Sequence, residues 1–185
     1  MISIPVLISK DTLRDIFDYV AQNIKDGSVC VEIGSFIGGS VCYFGQKVQE
    51  LGKTVNITCV DTWQFQNISK EHITLVENED YYAAFLANIS KCNLSVQTIV
   101  EDSITAAEKI EDKSIDFLFI DGCHEHPYTE MELRAWLPKM KENSIIAGHD
   151  YDQQAVKLAV ANVLSDFKTI GEGEYYIKQL GTGLK

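Results

Sequence analysis

Five short β-rich runs recur along the chain, at residues 29–33, 55–60, 96–100, 115–120 and 144–147, and each is followed by a polar turn and a helix-like segment. Their near-continuous apolar character is that of strands buried on both faces of a parallel sheet. The segments between them, 39–51, 80–91, 104–110 and 128–140, carry helical spacing, and a last one spans 153–164. Strand and helix in strict alternation predict an α/β domain, doubly wound, with helices on both faces of a mostly parallel sheet. After the last helix come runs 167–170 and 175–179, separated by Gly171-Glu172-Gly173, the signature of an antiparallel hairpin. Ahead of the first strand, residues 11–25 place Leu13, Ile16, Phe17, Val20 and Ile24 on one helical stripe, with Ser9 or Asp11 as a cap. Such a stripe either packs on the core or forms a lid. The long irregular stretch 62–79 exceeds an ordinary connection, so it is either a substrate loop or a surface insertion.

At 185 residues the chain is expected to fold as one domain, 1–185, without a disulfide or metal staple. Its net charge is −11 and its isoelectric point about 4.7. A polyanion would be repelled, which argues against nucleic acid and against an anionic membrane surface as partners. The acid is uneven, with twelve Asp and Glu against four Lys between residues 61 and 121. Five scattered cysteines, an odd number with no Cys-x-x-Cys pair, fit reduced thiols in the cytoplasm. The first residues lack the basic start of a secretory leader, and no run approaches a membrane span.

In open α/β sheets ligands bind at the carboxyl ends of the strands, so those positions are the candidate site. The first strand carries Glu32 and runs into Gly34-Ser35-Phe36-Ile37-Gly38-Gly39-Ser40; the second ends at Asp61, the third at Glu101-Asp102-Ser103, the fourth at Asp121-Gly122 and the fifth at His149-Asp150. A glycine-rich strand-to-helix turn lets backbone N–H groups approach a ligand. Phe36 stands where the dinucleotide fingerprint needs its second glycine, which weakens an NAD reading. Asp61, 27 residues after Gly34, sits where a carboxylate would accept from both ribose hydroxyls of an adenosyl ligand. Trp63 either stacks on that ligand or anchors the loop. Asp102 and Ser103 suit an adenine amino group and ring nitrogen, and equally suit capping of the next helix.

The densest cluster is Asp121-Gly122-Cys123-His124-Glu125-His126-Pro127-Tyr128, followed by Gly148-His149-Asp150-Tyr151. Carboxylates on neighbouring strand ends can share a hard cation such as Mg²⁺, which makes Asp121, His149 and Asp150 the candidate metal set. A metal there would acidify a substrate hydroxyl, and His124 is the candidate base. Helix capping by Asp121, a satisfied buried His149 and a solvated His126 are the competing readings. Zinc held by Cys123, His124 and His126 matches no familiar ligand spacing.

Taken together, Val31-Glu32-Ile33-Gly34-Ser35-Phe36-Ile37-Gly38-Gly39-Ser40, Val60-Asp61-Thr62-Trp63, Glu101-Asp102-Ser103, residues 114–124, Trp136-Leu137-Pro138 and Gly148-His149-Asp150-Tyr151 resemble a class I S-adenosylmethionine-dependent methyltransferase, in the branch of macrocin-like and other sugar O-methyltransferases. The resemblance spans roughly residues 28–165. It implies a Rossmann-like seven-stranded sheet with a reversed last strand. It divides the chain into a cofactor-binding half, 28–110, and an acceptor or metal half, 111–185. It further implies S-adenosylmethionine on the first glycine loop, contacted by Glu32, Gly34, Ser35, Gly38, Gly39, Ser40, Asp61, Trp63, Asp102, Ser103 and Asp121. Mg²⁺ at Asp121 and Asp150, with His124 as base beside Asp121, follows from its metal-dependent members. Two positions depart from that pattern. His149 replaces an oxygen ligand, and Asn143-Ser144 replaces the Gly-Gly turn before the fifth strand. The expected activity is O-methylation of a small-molecule hydroxyl. A cofactor-binding protein without transferase activity and a metal-dependent hydrolase are the other classes considered.

Overall fold

The computed structural model describes residues 10–64 and 80–181. Within them, α1 (Lys10–Asn23), β1 (Ser28–Ile33), α2 (Gly39–Glu50), β2 (Val55–Asp61), α3 (Tyr81–Lys91), β3 (Val96–Val100), α4 (Ser103–Ala107), β4 (Ile115–Ile120), α5 (Tyr128–Trp136), β5 (Met140–Gly148), α6 (Gln154–Val163), β6 (Lys168–Ile170) and β7 (Tyr175–Gln179) follow in order. The strands form one seven-stranded sheet in the order β3-β2-β1-β4-β5-β7-β6. β1 to β5 pair in parallel, while β7 runs antiparallel to both β5 and β6. The alternating sheet, the helices and the terminal hairpin are those expected from the sequence. The expected loop over 62–79 falls largely outside the described residues.

Alternation along the central strands divides the core in two. Cys30 of β1 and Phe117 and Phe119 of β4 face α1, α2 and α3, whereas Val31, Ile33, Leu118 and Ile120 face α4, α5 and α6. The stripe Leu13, Ile16, Phe17, Val20 and Ile24 is buried against the first of these faces, so α1 is core packing rather than a lid. Phe17 alone meets the rings of Phe44 and Phe119 at 5.4 and 5.0 Å. Burying a side chain of that size contributes roughly 1.5–3 kcal/mol.

Two boundaries differ from expectation. The helix expected over 128–140 stops at Trp136, and Leu137–Lys139 closes as a 3₁₀ turn. Pro138 has no N–H to continue the helix, and the chain turns extended at Met140. β5 therefore begins four residues earlier than the apolar run. It pairs Ile115 with Met140 and Phe117 with Ile145, and the surplus residues bulge out around Asn143. Asn143 takes a φ of 62°, the left-handed turn for which relatives use glycine.

α1 carries no basic residue in its last turn. Its carbonyls find a cation from elsewhere: Lys53, on the α2–β2 connection, donates from Nζ to the carbonyls of Ala21, Gln22 and Ile24 at 2.7, 3.0 and 2.8 Å. One ammonium thus answers the orphan acceptors and the negative end of the helix dipole. Replacing it by a side chain of equal length without charge, Lys53→Met, is expected to lower stability by about 1–3 kcal/mol in urea unfolding. A loss of under a few tenths of a kcal/mol would show that water serves those carbonyls equally well.

Candidate functional site

At the carboxyl ends of β1 to β5 lies a cavity of about 660 Å³. Its position follows from the topology, since β2 and β4 leave opposite sides of β1 and the connecting helices pass to opposite faces. The floor is set by one close approach. Gly34 has a φ of 81°, and a Cβ built on it would stand 1.9 Å from the carbonyl oxygen of Asp121, so only glycine lets the ends of β1 and β4 meet. The Asp121 N–H in turn donates to the Ile33 carbonyl at 2.9 Å.

Gly34, Asp61, Asp102, Ser103 and Asp121 all line this cavity, as do His124, His149 and Asp150. Asp61 orders the loop beside it, accepting from the Phe36 N–H at 2.9 Å on Oδ2 and from the Trp63 N–H at 2.8 Å on Oδ1. Burial raises its pKa, and these N–H groups offset part of that cost. Each oxygen keeps a further lone pair for a hydroxyl donor.

Glu32, Ser35, Gly38, Gly39, Ser40 and Trp63 lie outside the cavity lining. Trp63 is only 6% exposed; its ring packs 4.7 Å from Tyr82 and 4.9 Å from Phe85, and its Nε1 donates to the Phe36 carbonyl at 2.7 Å. It is a loop anchor, the second of the two roles considered for it. Gly38 and Gly39 start α2 beneath α3, where a Cβ on Gly38 would meet the Phe85 ring at 3.1 Å. Ser35 and Ser40 are buried beside Glu32. Glu32 points into the core, where burial pushes its pKa up to about 7 against the pull of the Ser40 and Ser35 hydroxyls, and its Oε2 has no hydrogen-bond partner.

Asp102 both caps and lines. Its Oδ1 accepts from the Ile104 and Thr105 N–H groups at 3.0 and 3.3 Å, and its Oδ2 from the Tyr128 hydroxyl. The Ser103 hydroxyl donates to Glu132 Oε1. Glu132, which sequence reasoning missed, is buried in the cavity wall beneath Gly122, with Oε2 unpartnered. The signal was present. Thr129, Glu132, Leu133 and Trp136 form the buried stripe of α5, and an acid at a core position of such a stripe calls for an explanation.

The far end of the cavity holds a chain of alternating acids and imidazoles. His149 Nδ1 lies 3.1 Å from Asp121 Oδ1 and 3.0 Å from Asp150 Oδ2, and His124 Nε2 lies 2.6 Å from the same Asp150 oxygen. Burial disfavours a charged ring at His149, yet the two carboxylates raise its pKa to about 10. The Asp150 carboxylate likewise raises His124, with burial opposing. Burial alone would raise Asp150, but the two imidazoles hold it far below the ordinary carboxylate range. His126 is exposed, and the zinc set that includes it does not form. Among the described residues, the group spaced to share a metal ion is Asp121, His124 and Asp150, their ligand atoms within 4.8 Å of one another. His124 thus replaces His149 in the set expected from sequence.

A family model described as a methyltransferase domain matches residues 31–151. An uncharacterized protein of Sinorhizobium fredii, y4gI, is 26% identical over 154 residues, which cover 83% of this chain and 16% of that protein. Among solved structures, CalS11, a TDP-rhamnose 3′-O-methyltransferase of calicheamicin biosynthesis, aligns with a TM-score of 0.63 at 14% identity, over 91% of this chain and 78% of its own. A methyltransferase from Geobacter sulfurreducens gives 0.62 at 14%, over 95% and 82%. An rRNA methylase from Streptococcus thermophilus gives 0.62 at 9%, over 94% and 99%. At these identities the three share the fold.

Glu132 makes the cavity wall sensitive to pH. Burial pushes its pKa up to about 7 from 4.5, chiefly at the expense of the charged form. The folded chain then keeps a proton that the unfolded chain releases, so this group's contribution to stability falls as pH rises through that window. Glu132→Gln is expected to gain in melting temperature relative to wild type between about pH 5 and about pH 8. A pH-independent difference between the two melting curves would contradict the assignment.

Proposed function

The chain belongs to this methyltransferase-domain family, and from that premise we propose that it moves the methyl group of S-adenosylmethionine to a hydroxyl of a small molecule, with His124 as the base. The observation that carries the reading is the cavity's charge. Asp61, Glu101, Asp102, Asp121, Glu132 and Asp150 line it, and among the described residues no Lys or Arg does. Such a wall favours a cation, and the donor set fits the ligand in a second way, because Asp61 offers spare lone pairs beside the glycine turn. When bound, S-adenosylmethionine supplies a methyl group made electrophilic by its sulfonium.

The residues of the chain do the rest. The carboxylates offset the ligand's positive charge. Asp61 fixes the ribose, and the Gly34–Asp121 contact holds both halves of the site in register, so that orientation supplies much of the acceleration. His124 Nε2, with no well-directed hydrogen bond of its own, receives the acceptor's proton, and the Asp150 carboxylate stabilises the resulting imidazolium. Sugar hydroxyls are the acceptors to test first. CalS11 methylates a sugar nucleotide on the same fold, and the motifs resemble those of sugar O-methyltransferases.

Calorimetry with S-adenosylmethionine is expected to show one site, and the absence of binding would end this reading. His124→Ala is expected to lose on the order of 10²–10⁴ in kcat with S-adenosylmethionine affinity retained. Unaltered turnover would remove His124 as base. The base acts when neutral, so kcat/KM is expected to rise with pH through a value above 6.5, His124 being raised. Asp150→Asn withdraws the charge that raises it and is expected to move this limb to lower pH; an unmoved limb would assign the proton to another group.

A further inference from the structure

Asp121 and Asp150 leave adjacent strand ends and offer one oxygen each to the same nitrogen, His149 Nδ1. The other Asp150 oxygen accepts from the Gln153 side-chain amide at 2.8 Å, while Oδ2 also meets His124 at 2.6 Å. Three of the four carboxylate oxygens therefore already face N–H groups. A hard ion such as Mg²⁺ needs oxygen ligands at about 2.1 Å in a near-octahedral shell. To bridge Asp121 and Asp150 it would have to take the place of the His149 Nδ1 proton. The ring is not free to leave: its backbone N–H is tied to the Ile120 carbonyl at 3.0 Å, and its face packs 4.7 Å from the fully buried Tyr175. These residues do not fit Mg²⁺.

We propose that His149 is the resident counterpart of a divalent cation in this site, its Nδ1–H joining Asp121 to Asp150 at the position a metal would occupy and closing that position to one. The claim deepens the methyl-transfer reading and rests on it for its consequence. Without an ion to coordinate the acceptor oxygen, its proton passes directly to His124 Nε2. The O–H bond breaks as O–CH₃ forms and S–CH₃ breaks, leaving the thioether, the methylated acceptor and a protonated His124. His149 is then a positioning residue, since it holds the Asp150 carboxylate that faces His124.

Mn²⁺, whose paramagnetic resonance signal reports binding directly, is the probe. Titrated into the wild-type chain it is expected to remain free, and turnover is expected to stay within about twofold after EDTA treatment. A stoichiometric Mn²⁺ site in wild type, or a tenfold or greater loss of turnover to EDTA that Mg²⁺ restores, would overturn the proposal. His149→Asp replaces the donor by an oxygen ligand and is expected to bind a single Mn²⁺ per chain. If that variant folds, as judged by wild-type affinity for S-adenosylmethionine, and still binds no Mn²⁺, His149 is not what closes the site. Should it fail to fold, His149→Asn carries the same expectation, and the wild-type titration decides in either case. Absence of S-adenosylmethionine binding by wild type would defeat the methyl-transfer reading instead, leaving cation exclusion to the Mn²⁺ measurements.

Discussion

The contact of Gly34 with the Asp121 carbonyl is the constraint on which the site depends. β1 and β4 are neighbours at the point where the sheet's strand order reverses, so their ends must lie side by side while their connections depart to opposite faces. A Cβ at residue 34 would overlap the carbonyl of the next strand, which turns a question of backbone freedom into one of distance. Because the two ends are fixed at van der Waals contact, Asp61 and Asp121 become opposite walls of one cavity. The Phe36 N–H and the Trp63 ring then lock the loop from the side that faces away from it.

The second organising fact is how the chain tolerates so many acids in one place. Each carboxylate at a strand end has a different solution. Asp61 uses backbone N–H groups, Asp102 uses a helix start and a tyrosine hydroxyl, and Asp121 and Asp150 use imidazoles. Glu32 and Glu132 have weaker partners and are pushed toward the protonated form by burial. The acidic stretch noticed in the sequence therefore divides by chemistry. Asp121 is paired with an imidazole in the cavity wall, whereas Asp112 meets Lys139 on the surface.

Most of this arrangement was legible from alternation alone. Buried parallel strands announce themselves as short apolar runs, and the rule that ligands sit at strand ends led to Asp61, Asp102, Asp121, His124 and Asp150. Side-chain direction was not legible. Trp63 and Ser40 lie within a few residues of the cavity yet turn into the core, because loop backbone and helix phase set where a side chain points. Glu132 was overlooked for the converse reason: it reaches the cavity from a helix face, 29 residues beyond Ser103, through packing that no strand-end rule inspects. The end of α5 was misjudged because apolar spacing continued past Pro138, although the proline alone was sufficient to stop it.

The carboxylate wall has a consequence for turnover as well as for capture. In the proposed reaction the reactant carries a sulfonium and the product left behind is a neutral thioether. A cleft whose charges are set against a cation holds the first more firmly than the second, and the two differ in little else. Methyl transfer would thus cancel much of the attraction that assembled the complex, and the fold would eject its spent ligand by electrostatics without needing a hinge to open.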